Sequence, residues 1–122
     1  MKFFLDTEFY ENGKTIDLIS IGIVAEDGRW LYHESEQFDW NVVPKDHWIQ
    51  ENVKPHLKGG KALAYKKSIL ESIIEFVNDD GTAPEFYGYY SSYDWVVFCQ
   101  LFGTMMDLPE KFPKFCMDLQ QM

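Results

Sequence analysis

The sequence predicts a single α/β domain built on a mixed sheet, and three observations carry that prediction. A short apolar segment and a longer β-branched one near the N-terminus lead through an Asp-Gly turn into a third extended segment. Helix-period and strand-like segments then alternate to the end of the chain. The composition also suits one packed core: 122 residues, 46% hydrophobic and 17% aromatic, which excludes the disordered class. No apolar run approaches the roughly 18 residues of a membrane helix. Asp6 and Glu8 interrupt Phe3-Phe4-Leu5 before a signal-peptide core can form, so no membrane partner and a cytoplasmic location are expected.

The elements follow in order. Lys2 to Phe9 is expected as an apolar strand ending in acids, and Ile16 to Ala25 as a longer one. Glu26-Asp27-Gly28-Arg29 is a turn, after which Trp30 to Ser35 alternates apolar and polar residues, completing a hairpin. Glu36 to Lys66 has two prolines and a Gly59-Gly60 pair, which predicts irregular structure with a short helix around Asp46 to Val53; Trp40 and Trp48 are expected to pack over the core. Ser68 and Glu71 form a capping box for a helix whose apolar face is Ile69, Leu70, Ile73, Ile74 and Val77, stopped by Asn78-Asp79-Asp80-Gly81. Glu85 to Tyr90 is expected as a buried strand. Ser91 or Ser92 then caps a helix bearing Val97, Phe98, Leu101 and Phe102 and ending at Gly103, and Lys114 to Met117 is a last strand. Three strands followed by helix, strand, helix, strand imply a mixed sheet with right-handed crossovers. Cys99 and Cys116 lie in apolar segments and are expected as buried thiols rather than a disulfide.

The formal net charge of -9 repels nucleic acid on average, yet the distribution is uneven. No acid occurs from Asn52 to Leu70, where Lys54, Lys58, Lys61, Lys66 and Lys67 fall. Such a stretch reads equally well as a solvated loop or as a phosphate-contacting patch.

Asp6-Thr7-Glu8 is the first pattern with chemistry in it. Alternate strand residues share a face, so the two carboxylates lie about 6.6 Å apart along the chain, within reach of metal ions about 3.5 to 4 Å apart. Composition alone yields about one Asp-x-Glu in a chain with this many acids, so the position matters more than the pattern. Both acids sit at the C-terminal end of the first strand, the edge where open α/β sheets bind ligands. Asp94 begins a helix directly after the Phe86-to-Tyr90 strand and is carried to the same edge; its alternative role is to complement the helix dipole.

Phe4-Leu5-Asp6-Thr7-Glu8-Phe9, Asp17-Leu18-Ile19-Ser20-Ile21-Gly22 and Tyr89-Tyr90-Ser91-Ser92-Tyr93-Asp94-Trp95 together resemble the first motif, second strand and second motif of the DEDD exonucleases, the DnaQ-like branch of the ribonuclease H fold. Trp48-Ile49-Gln50-Glu51-Asn52-Val53-Lys54-Pro55 further resembles the Trp-x-x-x-Asn-Val-x-Pro segment of the small mycobacterial-type and phage 3′-to-5′ exoribonucleases. The resemblance implies a five-stranded mixed sheet of order 3-2-1-4-5 flanked by helices. It implies Asp6, Glu8 and Asp94 as catalytic ligands of two Mg²⁺ or Mn²⁺ ions, and the single-stranded 3′ end of RNA as substrate. Thr7, Phe9 and Trp95 are candidate substrate contacts, although core packing is the ordinary role of the two aromatic residues.

The resemblance also implies a third motif with a His or Tyr base and a fourth Asp on a late helix, which this sequence does not contain through Met122. Asp118 is available as a fourth ligand, but capping a helix or turn is its favoured role. Of the three histidines, His33 falls in the hairpin, while His47 and His56 precede the lysine cluster, where solvated or loop-packing roles are ordinary; only for His56 is reach to the site conceivable. Residues 1 to 122 are therefore expected as one ribonuclease H-like domain lacking its C-terminal helix. Either it is a piece of a longer exoribonuclease, the favoured reading, or an inactive protein-binding module whose uncovered sheet face meets another protein or a second copy.

Overall fold

Strict alternation along the first strand puts Phe3, Leu5 and Thr7 into the interior and leaves Lys2, Phe4, Asp6 and Glu8 on the other face. The structure, a computed structural model, describes residues 1–78 and 80–121. Strand β1 (Lys2–Glu11) pairs antiparallel with β2 (Ile16–Ala25), and β2 with β3 (Trp30–Ser35). On the far side of β1 lie the parallel strands β5 (Glu85–Gly88) and β6 (Met117–Asp118). These five strands neighbour one another in the expected order. One addition corrects the expectation: β4 (Leu63–Ala64) lies parallel to the end of β3, so the sheet has six strands in the order β4-β3-β2-β1-β5-β6. Two residues are too few to display a period, which is why the sequence does not reveal it.

A bulge separates two pairing registers. Glu8 faces Ser20 and Phe9 faces Leu18, so Ile19 is the extra residue. It lets both Leu18 and Ile21 enter the main core with Ile69, Ile73 and Val77 of α2 (Lys66–Val77) and Val97 and Phe98 of α3 (Ser92–Gln100). Ile19 joins a second core on the opposite face, with Val43, Val53 and Ile49 of α1 (Trp48–Asn52). Helices α2 and α3 therefore cover one face, whereas α1 covers only the Ile19 end of the other, on which Phe4 and Val24 stay exposed.

Several local expectations are corrected. Helix α2 begins before Ser68, so the Ser68 and Glu71 capping box does not form its start; Tyr65 precedes the helix without a side-chain cap, and the Gln37 Oε1 atom accepts from the Lys66 amide at 2.8 Å. Of the stop expected after α2, Asp79 lies outside the described residues. Trp40 is half-buried against Phe38, with ring centroids 4.9 Å apart, but Trp48 is 66% exposed and covers nothing. The strand expected over Glu85 to Tyr90 stops at Gly88, because Tyr90 turns into the left-handed region at φ 52°. The strand expected over Lys114 to Met117 shrinks to Met117–Asp118, since only Tyr87 and Gly88 remain to pair with it. Cys99 and Cys116 are free thiols, the first buried and the second half-buried. Among the described residues no helix is long and apolar enough to cross a membrane.

Candidate active site

The split between β1 and β5 creates the site. The two strands pair only from Lys2 to Phe4 on β1, after which β5 ends and the chain turns sharply into α3. That turn is held by Asp118, whose two carboxylate oxygens accept from the Tyr90 amide at 3.0 Å and the Ser91 amide at 3.3 Å; its Oδ1 also accepts from the Gln120 amide at 3.0 Å. Asp118 is thus the capping residue its position suggested, and Ser91 forms no side-chain cap of its own. Close packing requires glycine before the turn, since a Cβ at Gly88 would lie 2.6 Å from the Ser91 Cβ. Helix α3 consequently starts beside the open edge of β1, with Asp94 in its first turn.

Asp94 is only 6% exposed, and an unpaired carboxylate at that depth is costly. Thr7 satisfies it: its backbone N–H, left free where β5 has ended, donates to Asp94 Oδ1 at 3.2 Å, and its hydroxyl donates to the same oxygen. Asp94 is thereby fastened to the residue between Asp6 and Glu8.

Asp6 and Glu8 project from the opposite face of β1 into a cleft of about 330 Å³. Cross-strand register builds its floor, Asp6 in line with Gly22 and Tyr32, and Glu8 with Ser20. The wall comes from Asn52, Val53, His56 and Leu57. Desolvation raises the Asp6 pKa despite an opposing bond from the Thr7 backbone. Glu8 is raised first by desolvation and then by the charges of Asp6 and Asp94. Asp94 is raised by burial and by Asp6, with the Thr7 bonds working against them. The three acids thus act on one another through their charges, although Asp94 itself does not line the cleft.

That field suits a hard divalent cation, because each donor is a carboxylate oxygen and each is partly desolvated among like charges. Among the described residues no three Asp, Glu, His or Cys side chains close on a common metal position. Magnesium is ordinarily held by one or two carboxylates, with water and phosphate oxygens completing its shell, and the Asp6 and Glu8 pair fits that mode.

The remaining candidates separate from the cleft. Phe9 is half-buried at the core margin, its ring 5.7 Å from that of Tyr93. Trp95 stacks on Phe98 at 5.0 Å, and its indole N–H donates to the Lys114 carbonyl at 3.4 Å. Neither lines the cleft, whereas Thr7 does. His47 has the local role expected of it: Nδ1 accepts from the Ile49 amide at 3.2 Å and starts α1. His56 does reach the cleft, in company with Tyr32, Ser20 and Asn52, which sequence reasoning did not single out. The alternation of β2 and β3 was the available signal for Ser20 and Tyr32, because each pairs in line with Asp6 or Glu8.

A six-stranded mixed sheet with helices on both faces and acids at the strand split is a ribonuclease H-like arrangement. Residues 1–118 match the family described as the 3′-5′ exoribonuclease Rv2179c-like domain, and the chain belongs to that family. It is 40% identical, over 125 aligned residues, to 3′-5′ exoribonuclease Rv2179c of Mycobacterium tuberculosis (strain ATCC 25618 / H37Rv) and to 3′-5′ exoribonuclease MT2234.1 of Mycobacterium tuberculosis (strain CDC 1551 / Oshkosh). Each match covers 100% of this chain and 73% of the relative.

Proposed function

We propose that the chain acts as a metal-dependent 3′-to-5′ exoribonuclease of the DEDD type, with Asp6 and Glu8 as ligands of Mg²⁺ or Mn²⁺ and Asp94 completing their field. Membership in an exoribonuclease family supports the reaction class. The observation that carries the site is the pair Asp6 and Glu8 in one desolvated cleft, with Asp94 bonded to the intervening Thr7. Bound divalent ions would offset the charge of a phosphodiester and lower the pKa of an attacking water. The protein's own part is to keep the acids close in spite of their repulsion. Thr7 orients Asp94, the glycine at position 22 leaves room beside Asp6, and residues 52–57 with His56 wall the cleft.

The test uses the full-length natural protein and single-stranded RNA labelled at its 5′ end. A ladder shortening from the 3′ end, lost with EDTA and restored by Mn²⁺, is the expected result. Internal cleavage of a 3′-blocked RNA, or degradation unaffected by EDTA, would overturn the reading.

A further inference from the structure

Glu34 is the most completely buried charged residue among those described, at 1% exposure, and it takes no part in the acid site. It stands in the same cross-strand row as Glu8, two strands away, or about 9.6 Å by ordinary strand spacing. Its oxygens are already engaged. Oε2 accepts from the Lys58 amide at 2.7 Å and from the Tyr32 hydroxyl, and Oε1 accepts from the Gly59 amide at 2.8 Å. Burial works to raise its pKa, but these donors outweigh it and hold the carboxyl below its ordinary value. Glu34 thus grips two successive backbone amides.

The gripped amides end the segment that walls the cleft. Residues 52–57 supply Asn52, Val53, His56 and Leu57 to that wall, and Val53 and Leu57 anchor the segment in the second core. Gly59 and Gly60 then turn with φ of 62° and 54°, a conformation that costs other residues. The Lys54, Lys58 and Lys61 side chains remain exposed on a stretch free of acids.

We propose that Glu34 is a positioning residue for RNA: its buried carboxylate fixes residues 52–59 as the far wall of the acidic cleft and sets Lys58 to meet a backbone phosphate. The inference rests on the exoribonuclease reading for its ligand. An RNA strand whose scissile phosphate enters between the acids must bring its next phosphates past a surface, and the segment that walls the cleft carries the exposed Lys54 and Lys58. Phosphate contacts of this kind position the strand without reading its bases.

The test compares wild type, Glu34→Gln and Lys58→Gln in the full-length protein, using a fluorescein-labelled single-stranded RNA. Glu34→Gln keeps the shape and one acceptor but sets a donor against one of the two gripped N–H groups, so it loosens the Lys58 and Gly59 grip; its circular dichroism spectrum is compared with the wild type's. It is expected to raise KM about tenfold with kcat changed less than about twofold. Amide exchange at Lys58 and Gly59 should accelerate in the same variant. Lys58→Gln retains its amide bond to Glu34, so it should leave the melting temperature unchanged while weakening RNA binding and reducing the salt slope by about 0.7. Unchanged KM in Glu34→Gln despite faster exchange, or an unchanged salt slope in Lys58→Gln, would overturn the proposal. Anisotropy in EDTA reads RNA binding whether or not hydrolysis occurs, so loss of the nuclease reading and loss of this one are separable.

Discussion

Asp6→Asn is expected to abolish Mn²⁺-supported shortening of RNA, a loss of about 10²-fold or more, while raising the melting temperature of the metal-free protein at neutral pH. The two effects have one cause. Desolvation raises the Asp6 pKa in the folded state, and Asp6 in turn raises Glu8 and Asp94. For a carboxyl whose folded pKa lies above its unfolded value, the unfolded chain ionises first as pH rises. Stability then falls from the unfolded pKa upward and levels off only above the folded one. Metal-free protein should therefore lose stability as pH climbs from about 4, and Asp6→Asn should flatten that decline. Thermal unfolding between pH 4 and 8 in EDTA reads the effect directly. A variant both inactive and less stable at pH 7 would show that Asp6 is a structural residue.

Asp94 should separate charge from hydrogen bonding. Asp94→Asn removes the charge but keeps an oxygen to accept from Thr7, so the fold should be retained and activity lost by about 10²-fold or more. Asp94→Ala leaves the Thr7 amide and hydroxyl without their acceptor. A buried donor so orphaned costs about 1–3 kcal/mol, which exceeds the relief expected from removing one like charge in a partly solvated cluster. The alanine variant should therefore be both inactive and less stable than the asparagine one. Equal stability of the two would mean that the Thr7 tether contributes nothing.

The parts of the molecule legible in the sequence are those governed by periodicity. β2 occurs over Ile16–Ala25 as its β-branched content predicts and β3 over Trp30–Ser35 as alternation predicts, and of the apolar face of α2 Ile69, Ile73 and Val77 are buried. What the sequence hides depends on long-range acceptors. Gln37 begins α2 from 29 residues away, so the local Ser68 and Glu71 signal misplaces the start. Asp118 ends β5 early by drawing the Tyr90 and Ser91 amides into a turn. In the candidate site, the placement of Asp6 and Glu8 followed from strand alternation, and that of Asp94 from its position after β5. The attachment of Asp94 to Thr7 could not be read, because it depends on β5 releasing the edge of β1. Glu34 was equally hidden: an acid at a strand end is ordinarily solvated, and only the fold of Lys58 and Gly59 back onto it makes it a buried anchor.

Free Mn²⁺ followed by electron paramagnetic resonance during titration of the full-length protein tests the shared acidic field most directly. Saturable binding in the wild type, lost in Glu8→Gln and retained in Glu34→Gln, is the result predicted. Equal Mn²⁺ affinity in the wild type and Glu8→Gln would contradict it.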